Sequence, residues 1–226
     1  MFSRFRKPKM VVPSLVELAH ARAPSRDQIS KPDHYYESYE RFFGSLREKP
    51  LSFFEIGVYR GESTKVFAEY FSRANIVGVD FDLHNIDLTG FDNITLYQGD
   101  QSDAPFLTDL VERHAASGVD IIIDDASHEG CLSLATFGIL FPLLKSGGLY
   151  AIEDWGTGYW SDRPDGQAYK PLDVVGDRLV SHDYGMVGFV KSLVDHVAGW
   201  DTRSSFDFSE IASMHVLPGI VILQKA

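Results

Sequence analysis

The chain has 226 residues, of which 44% are hydrophobic and 23% charged, and it carries a net charge of -11. That length argues for one sizeable core rather than two full domains, and the composition is that of an ordinary globular protein, not a disordered or fibrous one. So acidic a chain is a poor partner for nucleic acid, but it suits a small neutral or cationic ligand, or a divalent metal held by carboxylates.

The basic start, MFSRFRKPKMVVP, is not followed by a continuous apolar segment, and no stretch approaches the ~20 apolar residues of a membrane span. A cytoplasmic protein with a frayed, solvated terminus is the expectation. Residues 14–22 read as a short helix. A second helix is predicted over about 34–47, where Tyr35, Tyr36, Tyr39, Phe42, Phe43 and Leu46 recur at helical spacing. Its aromatic face needs a cover, either the main core or a second copy in a homo-oligomer, most simply a two-fold dimer.

From residue 51 the pattern changes to short apolar strands, each ending in an acid or a glycine: LSFFEIG, NIVGVDF, ITLYQGD, VDIIIDD and LYAIED. Helical stretches at 62–73, 104–115 and 129–144 separate most of them, whereas DFDLHNIDLTGFDN is too rich in turn residues for a helix. The lone cysteine, Cys131, excludes an internal disulfide or a cysteine-based zinc cluster, and reads as a half-buried structural thiol. A long helix around 173–198 follows, then SSFDFSE and GIVILQKA as an antiparallel pair. Alternating strands and helices predict a doubly wound α/β fold, Rossmann-like, with a mostly parallel seven-stranded sheet covered on both faces.

In such sheets ligands bind beyond the carboxyl ends of the strands. The first strand runs into Glu55, Gly57 and Gly61, with Ser63 and Thr64 opening a helix, a turn that lets the backbone approach a ligand. The dinucleotide fingerprint is absent. Asp80 ends the second strand, where an acid can accept from both ribose hydroxyls, and Asp100, Gln101 and Ser102 end the third, beside an adenine pocket. Glu55 would repel a phosphate but can hold an ammonium, so the ligand expected is S-adenosylmethionine, with Asp124 also placed on the cofactor side.

Two acid pairs remain: Asp124 and Asp125 after the fourth strand, Glu153 and Asp154 after the fifth. Neighbouring strands lie ~5 Å apart, so Asp125, Glu153 and Asp154 can converge, and such crowding needs a cation. Oxygen ligands select a hard one, Mg²⁺ first, with Mn²⁺ or Ca²⁺ as alternatives. Glu153 and Asp154 can both serve only if the strand breaks between them, because consecutive strand residues face opposite ways. His128, a turn beyond Asp125, is the expected general base. Imidazole titrates near ~6.5 and an alcohol near ~15.7, a gap that a cation beside the alcohol oxygen narrows.

The segments FFEIGVYRG, GDQSD, IIIDDASH, LFPLLKSGGLYAIED and the upstream HYYESYERFF resemble the metal-dependent class I methyltransferases of the macrocin and mycinamicin O-methyltransferase type, over roughly residues 34–160. The resemblance implies an S-adenosylmethionine- and Mg²⁺-dependent transfer to a hydroxyl of a sugar or glycoside, with Asp125, Glu153 and Asp154 on the metal and His128 as base. The expected organisation is a helical extension over 1–48 and a catalytic domain over 49–226. Ala126 stands where that family usually has glycine. Residues 156–169, GTGYWSDRPDGQAY, read as a mobile lid, with Tyr159, Trp160 and Tyr169 to stack on a sugar, or else as an oligomer contact. Two other readings stay open: a metal-dependent hydroxylase resembling cephalosporin hydroxylases, though the acid set lacks the two histidines of a facial iron triad, and a non-catalytic sensor of an adenosine ligand.

Overall fold

The computed structural model describes residues 12–23, 31–168, 183–198 and 210–226. Two helices come first: α1 (Leu15–Arg22), opened by a reciprocal cap between Ser14 and Glu17, and α2 (Asp33–Phe43). Strands and helices then alternate through β1 (Leu51–Ile56), α3 (Glu62–Tyr70), β2 (Ala74–Asp80), β3 (Ile94–Gln98), α4 (Ala104–His114), β4 (Val119–Asp124), α5 (Gly130–Leu140) and β5 (Leu144–Glu153). A tight turn at Trp155–Tyr159, the short α6 (Pro164–Ala168), α7 (Gly185–Ala198), and the hairpin of β6 (Ile211–Leu217) and β7 (Ile220–Lys225) follow.

The strands form one seven-stranded sheet in the order β3-β2-β1-β4-β5-β7-β6. The five strands from β3 to β5 are parallel; β7 runs antiparallel to β5, and β6 to β7. The expected doubly wound, mostly parallel sheet is therefore the one that forms. Strand order reverses between β1 and β4, which opens a crevice at their carboxyl ends.

Period-two alternation splits the core into two layers. Phe53, Ile121, Ile123, Leu149, Ala151 and Ile222 join α1, α2 and α3 on one face. Phe54, Ile122, Tyr150, Ile152, Val221 and Leu223 join α4, α5 and α7 on the other. Tyr36, Tyr39 and Phe43 of α2 are fully buried in the first layer, each ring contributing ~1.5–3 kcal/mol by leaving water. The aromatic face of α2 is thus covered by the chain's own sheet, which removes that face as a reason to expect a dimer. No helix among the described residues is long and apolar enough to cross a membrane.

Local chemistry explains the departures from expectation. The helix predicted over 129–144 ends at Leu140, because Pro142 cannot donate to a helical turn and the chain tightens over Phe141–Leu143. Cys131 is exposed rather than half-buried, since the start of α5 turns that position to solvent. The strand paired with the last one is IASMHVL, not SSFDFSE, most of which lies outside the described residues; Pro218 and Gly219 (φ 74°) make the connecting turn. The long helix expected over 173–198 is described only from Gly185 onward.

Glycine is required where the β1 turn meets the β4 turn. Gly57 has φ 94°, and a Cβ added there would lie 2.0 Å from the carbonyl oxygen of Asp125. Gly57→Ala should cost ~2 kcal/mol or more of stability, through strain and the displaced Asp125 backbone. Chemical denaturation measures this, and an unchanged midpoint would show that the two turns are not in close contact.

Candidate active site

The acids at the strand ends divide by face. Glu55 and Glu153 continue the alternation toward α2 and α3, and both are buried. Glu55 accepts from Ser63 Oγ at 2.7 Å and from Thr64 Oγ1 at 2.5 Å, while Glu153 accepts from Tyr39 Oη. Asp124 points the other way, toward α5, and is 2% exposed. Asp125 lies one residue past the strand, its amide still bonded to the Ile56 carbonyl at 2.8 Å. β5 does break between its two acids: Asp154 takes a left-handed conformation (φ 52°), which swings its carboxylate out to the cleft, where Tyr35 Oη donates to it at 2.6 Å.

At the mouth of the cleft Asp125, His128 and Asp154 each offer a ligand atom within 4.8 Å of the others. His128 Nε2 is 3.8 Å from Asp125 Oδ1 and 3.7 Å from Asp154 Oδ2. Glu153 stands behind this group, held by a residue that the sequence did not flag. Lys31, just before α2, bonds Asp125 Oδ2, lies 2.8 Å from Glu153 Oε1 and is 4.0 Å from Glu55 Oε1. Burial works to lower its pKa, but Asp125, Glu153 and Glu55 together hold it well above the ordinary 10.5, so it stays charged. Burial also pushes the Tyr35 and Tyr39 hydroxyls up, and the adjoining acids add to it, so both remain donors. The group differs from a two-histidine, one-carboxylate iron triad in having one imidazole among carboxylates.

The rest of the cleft, about 730 Å³ in all, runs over the ends of β1, β2 and β3. Gly57, Asp80, Asp100 and Gln101 line it, with Tyr59 and Phe81, which sequence reasoning missed. Glu55, Gly61, Ser63, Ser102 and Asp124 do not reach its wall. Asp80 already serves the backbone: Oδ2 accepts from the Val58 and Tyr59 amides at 2.8 and 2.7 Å, and Oδ1 from Asp82 at 3.0 Å. Few of its roughly four acceptor positions stay open for a ligand hydroxyl. Gln101 ties the loop carrying His128 to α5, accepting from the Ser127 amide and donating to Thr136 Oγ1. The Ser102 amide holds the Asp100 carboxyl below its usual range, with its hydroxyl adding to the effect.

The three non-glycine residues with positive φ among the described residues, Tyr59, His128 and Asp154, all line this one cleft. Such backbone costs of order 1 kcal/mol per residue and gathers where geometry serves function. The segment after β5 does not stand free of the body. Thr157 is buried and donates to the carbonyls of Asp154 and His128. Asp165 is buried too, and its Oδ2 accepts from Gly130 and Met186, both at 2.7 Å, which fastens the starts of α5 and α7. Between these anchors Tyr159 and Trp160 are half-exposed, and Arg163 lines the cleft. Tyr169 lies outside the described residues.

A parallel sheet in this order, with a nucleoside-sized crevice over its switch point and acids at its mouth, defines a class I methyltransferase fold. No family model matches the chain. It is 32% identical over 201 residues to a tetracenomycin rhamnosyl 3'-O-methyltransferase of Streptomyces olivaceus, a match spanning 83% of this chain and 48% of that one. It is equally similar, over 201 residues, to mycinamicin VI 2''-O-methyltransferase of Micromonospora griseorubida, across 83% and 47%. Among solved structures, the methyltransferase MycE in complex with Mg, SAH and mycinamycin VI superposes with a TM-score of 0.74 at 30% identity, covering 95% of this chain and 54% of that one. The chain is thus similar, over most of its own length, to sugar O-methyltransferases of the macrocin and mycinamicin type, and it spans about half the length of the curated relatives it matches.

Asp124 offers a test of the sheet's sidedness. Neither of its buried oxygens has a well-formed hydrogen bond; burial pushes its pKa up to about 7, and the poorly aligned Ser133 hydroxyl and Ala126 amide nearby only temper that. A raised folded-state pKa means that stability is fully present below the unfolded value, near 3.8, and is lost as pH rises toward 7. Asp124→Asn removes that loss. The variant should be more stable than the wild type at pH 8, by up to ~4 kcal/mol, and no more stable at pH 4. Melting curves at the two pH values check this; equal gains at both would show that Asp124 is not buried as a lone carboxylate.

Proposed function

We propose that the chain is the methyl-transfer unit of an S-adenosylmethionine-dependent, divalent-metal-dependent O-methyltransferase acting on a hydroxyl of a sugar or glycoside. The observation that carries this reading is the meeting of Asp125, Asp154 and His128 at the open end of a nucleoside-sized cleft. The named activities of the relatives support it.

The wall formed by Gly57, Asp80, Phe81, Asp100 and Gln101 takes the nucleoside. Glu55, Gly61, Ser63 and Ser102 shape that wall from behind. Asp125 and Asp154, with Glu153 next to them, fit a hard cation, Mg²⁺ before Mn²⁺ or Ca²⁺. Four carboxylates meet there, and the buried ammonium of Lys31 between two of them shows that the pocket already accommodates positive charge. When bound, the cation supplies Lewis acidity toward the acceptor hydroxyl. His128 takes that hydroxyl's proton, its ring lining the cleft beside Asp125 and Asp154. Tyr159, Trp160 and Arg163 border the acceptor's approach.

The same distances favour a second reading, in which His128 completes the ligand set with Asp125 and Asp154. Metal binding by His128→Ala separates the two: retained binding with a loss of ~10²–10⁴-fold in rate identifies a base, and lost binding a ligand.

Methyl transfer from labelled S-adenosylmethionine over a panel of glycosides should proceed with Mg²⁺ and stop, reversibly, with EDTA. Asp125→Asn should lose most turnover while binding S-adenosylmethionine almost as well as the wild type. Full turnover by verified metal-free protein would end the metal mechanism, and ligand binding without turnover on any glycoside would leave the sensor reading.

A further inference from the structure

One charged side chain at the centre of the acid cluster has no part in the proton transfer. The ammonium of Lys31 is 3% exposed, bonds Asp125 Oδ2, and shares Glu153 Oε1 with the Tyr39 hydroxyl. The two oxygens of Asp125 therefore face different partners. Oδ2 meets Lys31, while Oδ1 looks toward His128 Nε2 at 3.8 Å. Lys31 thus splits the cluster in two. An inner half, made of Glu55, Glu153 and one Asp125 oxygen, gathers around the ammonium, which offsets part of its negative charge; an outer half, made of the other Asp125 oxygen with Asp154 and His128, opens to the cleft.

We propose that Lys31 is a tethered counter-ion that competes with the divalent cation for Asp125 and Glu153. The proposal rests on the reading above that a divalent cation binds this cluster. Two buried carboxylates beside a third repel one another and lack water, so without positive charge the strand ends would be pushed apart. Lys31 supplies that charge within the chain and lets the site fold before any metal arrives. It also works against the metal, occupying oxygens the ion needs and adding a like charge beside it. Even at the dielectric of water, a unit charge sharing two carboxylates with a divalent ion weakens its binding by roughly tenfold.

The test is Mn²⁺ affinity, read from the electron paramagnetic resonance of the free ion, without acceptor or methyl donor. Lys31→Met and Lys31→Gln should bind Mn²⁺ roughly tenfold or more tightly than the wild type and melt at lower temperature when metal-free. Lys31→Arg, which keeps the charge, should retain the wild-type affinity. Should the methionine variant fail to fold without metal, the glutamine variant, which keeps N–H donors toward Glu153, gives the reading. Wild-type binding with equal or weaker binding by both neutral variants overturns the proposal alone. Neutral variants that stay unfolded even with Mn²⁺ also overturn it, since the ion then cannot replace the ammonium. Absence of Mn²⁺ binding in the wild type and in every variant overturns both this proposal and the metal reading beneath it.

Discussion

Electrostatic crowding at the carboxyl ends of β1, β4 and β5 is the constraint to which the neighbourhood answers. Parallel pairing in this register brings Glu55, Asp125 and Glu153 around one ammonium, two of the three in places water does not reach. Each nearby element contributes a group that makes this tolerable. α3 opens with two hydroxyls for Glu55, α2 turns two tyrosines toward Glu153 and Asp154, and Lys31, two residues before α2, brings the positive charge. The two N-terminal helices accordingly share a core with the sheet and also complete the polar chemistry at its edge.

The sheet and the acids at its ends were legible in the sequence because both follow local rules. Apolar runs ending in acids mark parallel strands, and strand spacing brings neighbouring ends together. Lys31 was not legible. Asp125, the carboxylate it bonds, lies 94 residues away, and a lysine shortly before an amphipathic helix has the look of any solvated charge. Tyr35 and Tyr39 were seen only as apolar rings; their four-residue spacing, which puts both hydroxyls on one side of α2, was the available signal. Asp124, expected on the cofactor side, lies off the cleft wall for a simple reason of parity: the last strand residue faces α5, and only the residue after it escapes the alternation.

Parity also accounts for the backbone strain. A strand can present only every second residue to a given side, so adjacent acids reach one site only if the chain leaves strand geometry between them. Asp154 does so with a positive φ, and His128 and Tyr59 do the same in the turns opposite. The glycine at 57 removes the remaining obstacle by letting two turns touch where a side chain would collide with the Asp125 carbonyl. Specific geometry at the mouth of the cleft is thus set by backbone conformation first and by side-chain contacts second.

Thr157 and Asp165 have a consequence for how such a cleft can change its acceptor. One fastens the segment after β5 to the carbonyls beneath the acid cluster, the other to the first turns of α5 and α7. Residues 159–163 are strung between these two moorings, with two half-exposed rings and a guanidinium turned outward. Side chains there can be exchanged without moving His128 or Asp154, so under the proposed function acceptor choice and bond-making chemistry would be separately inheritable traits of one fold.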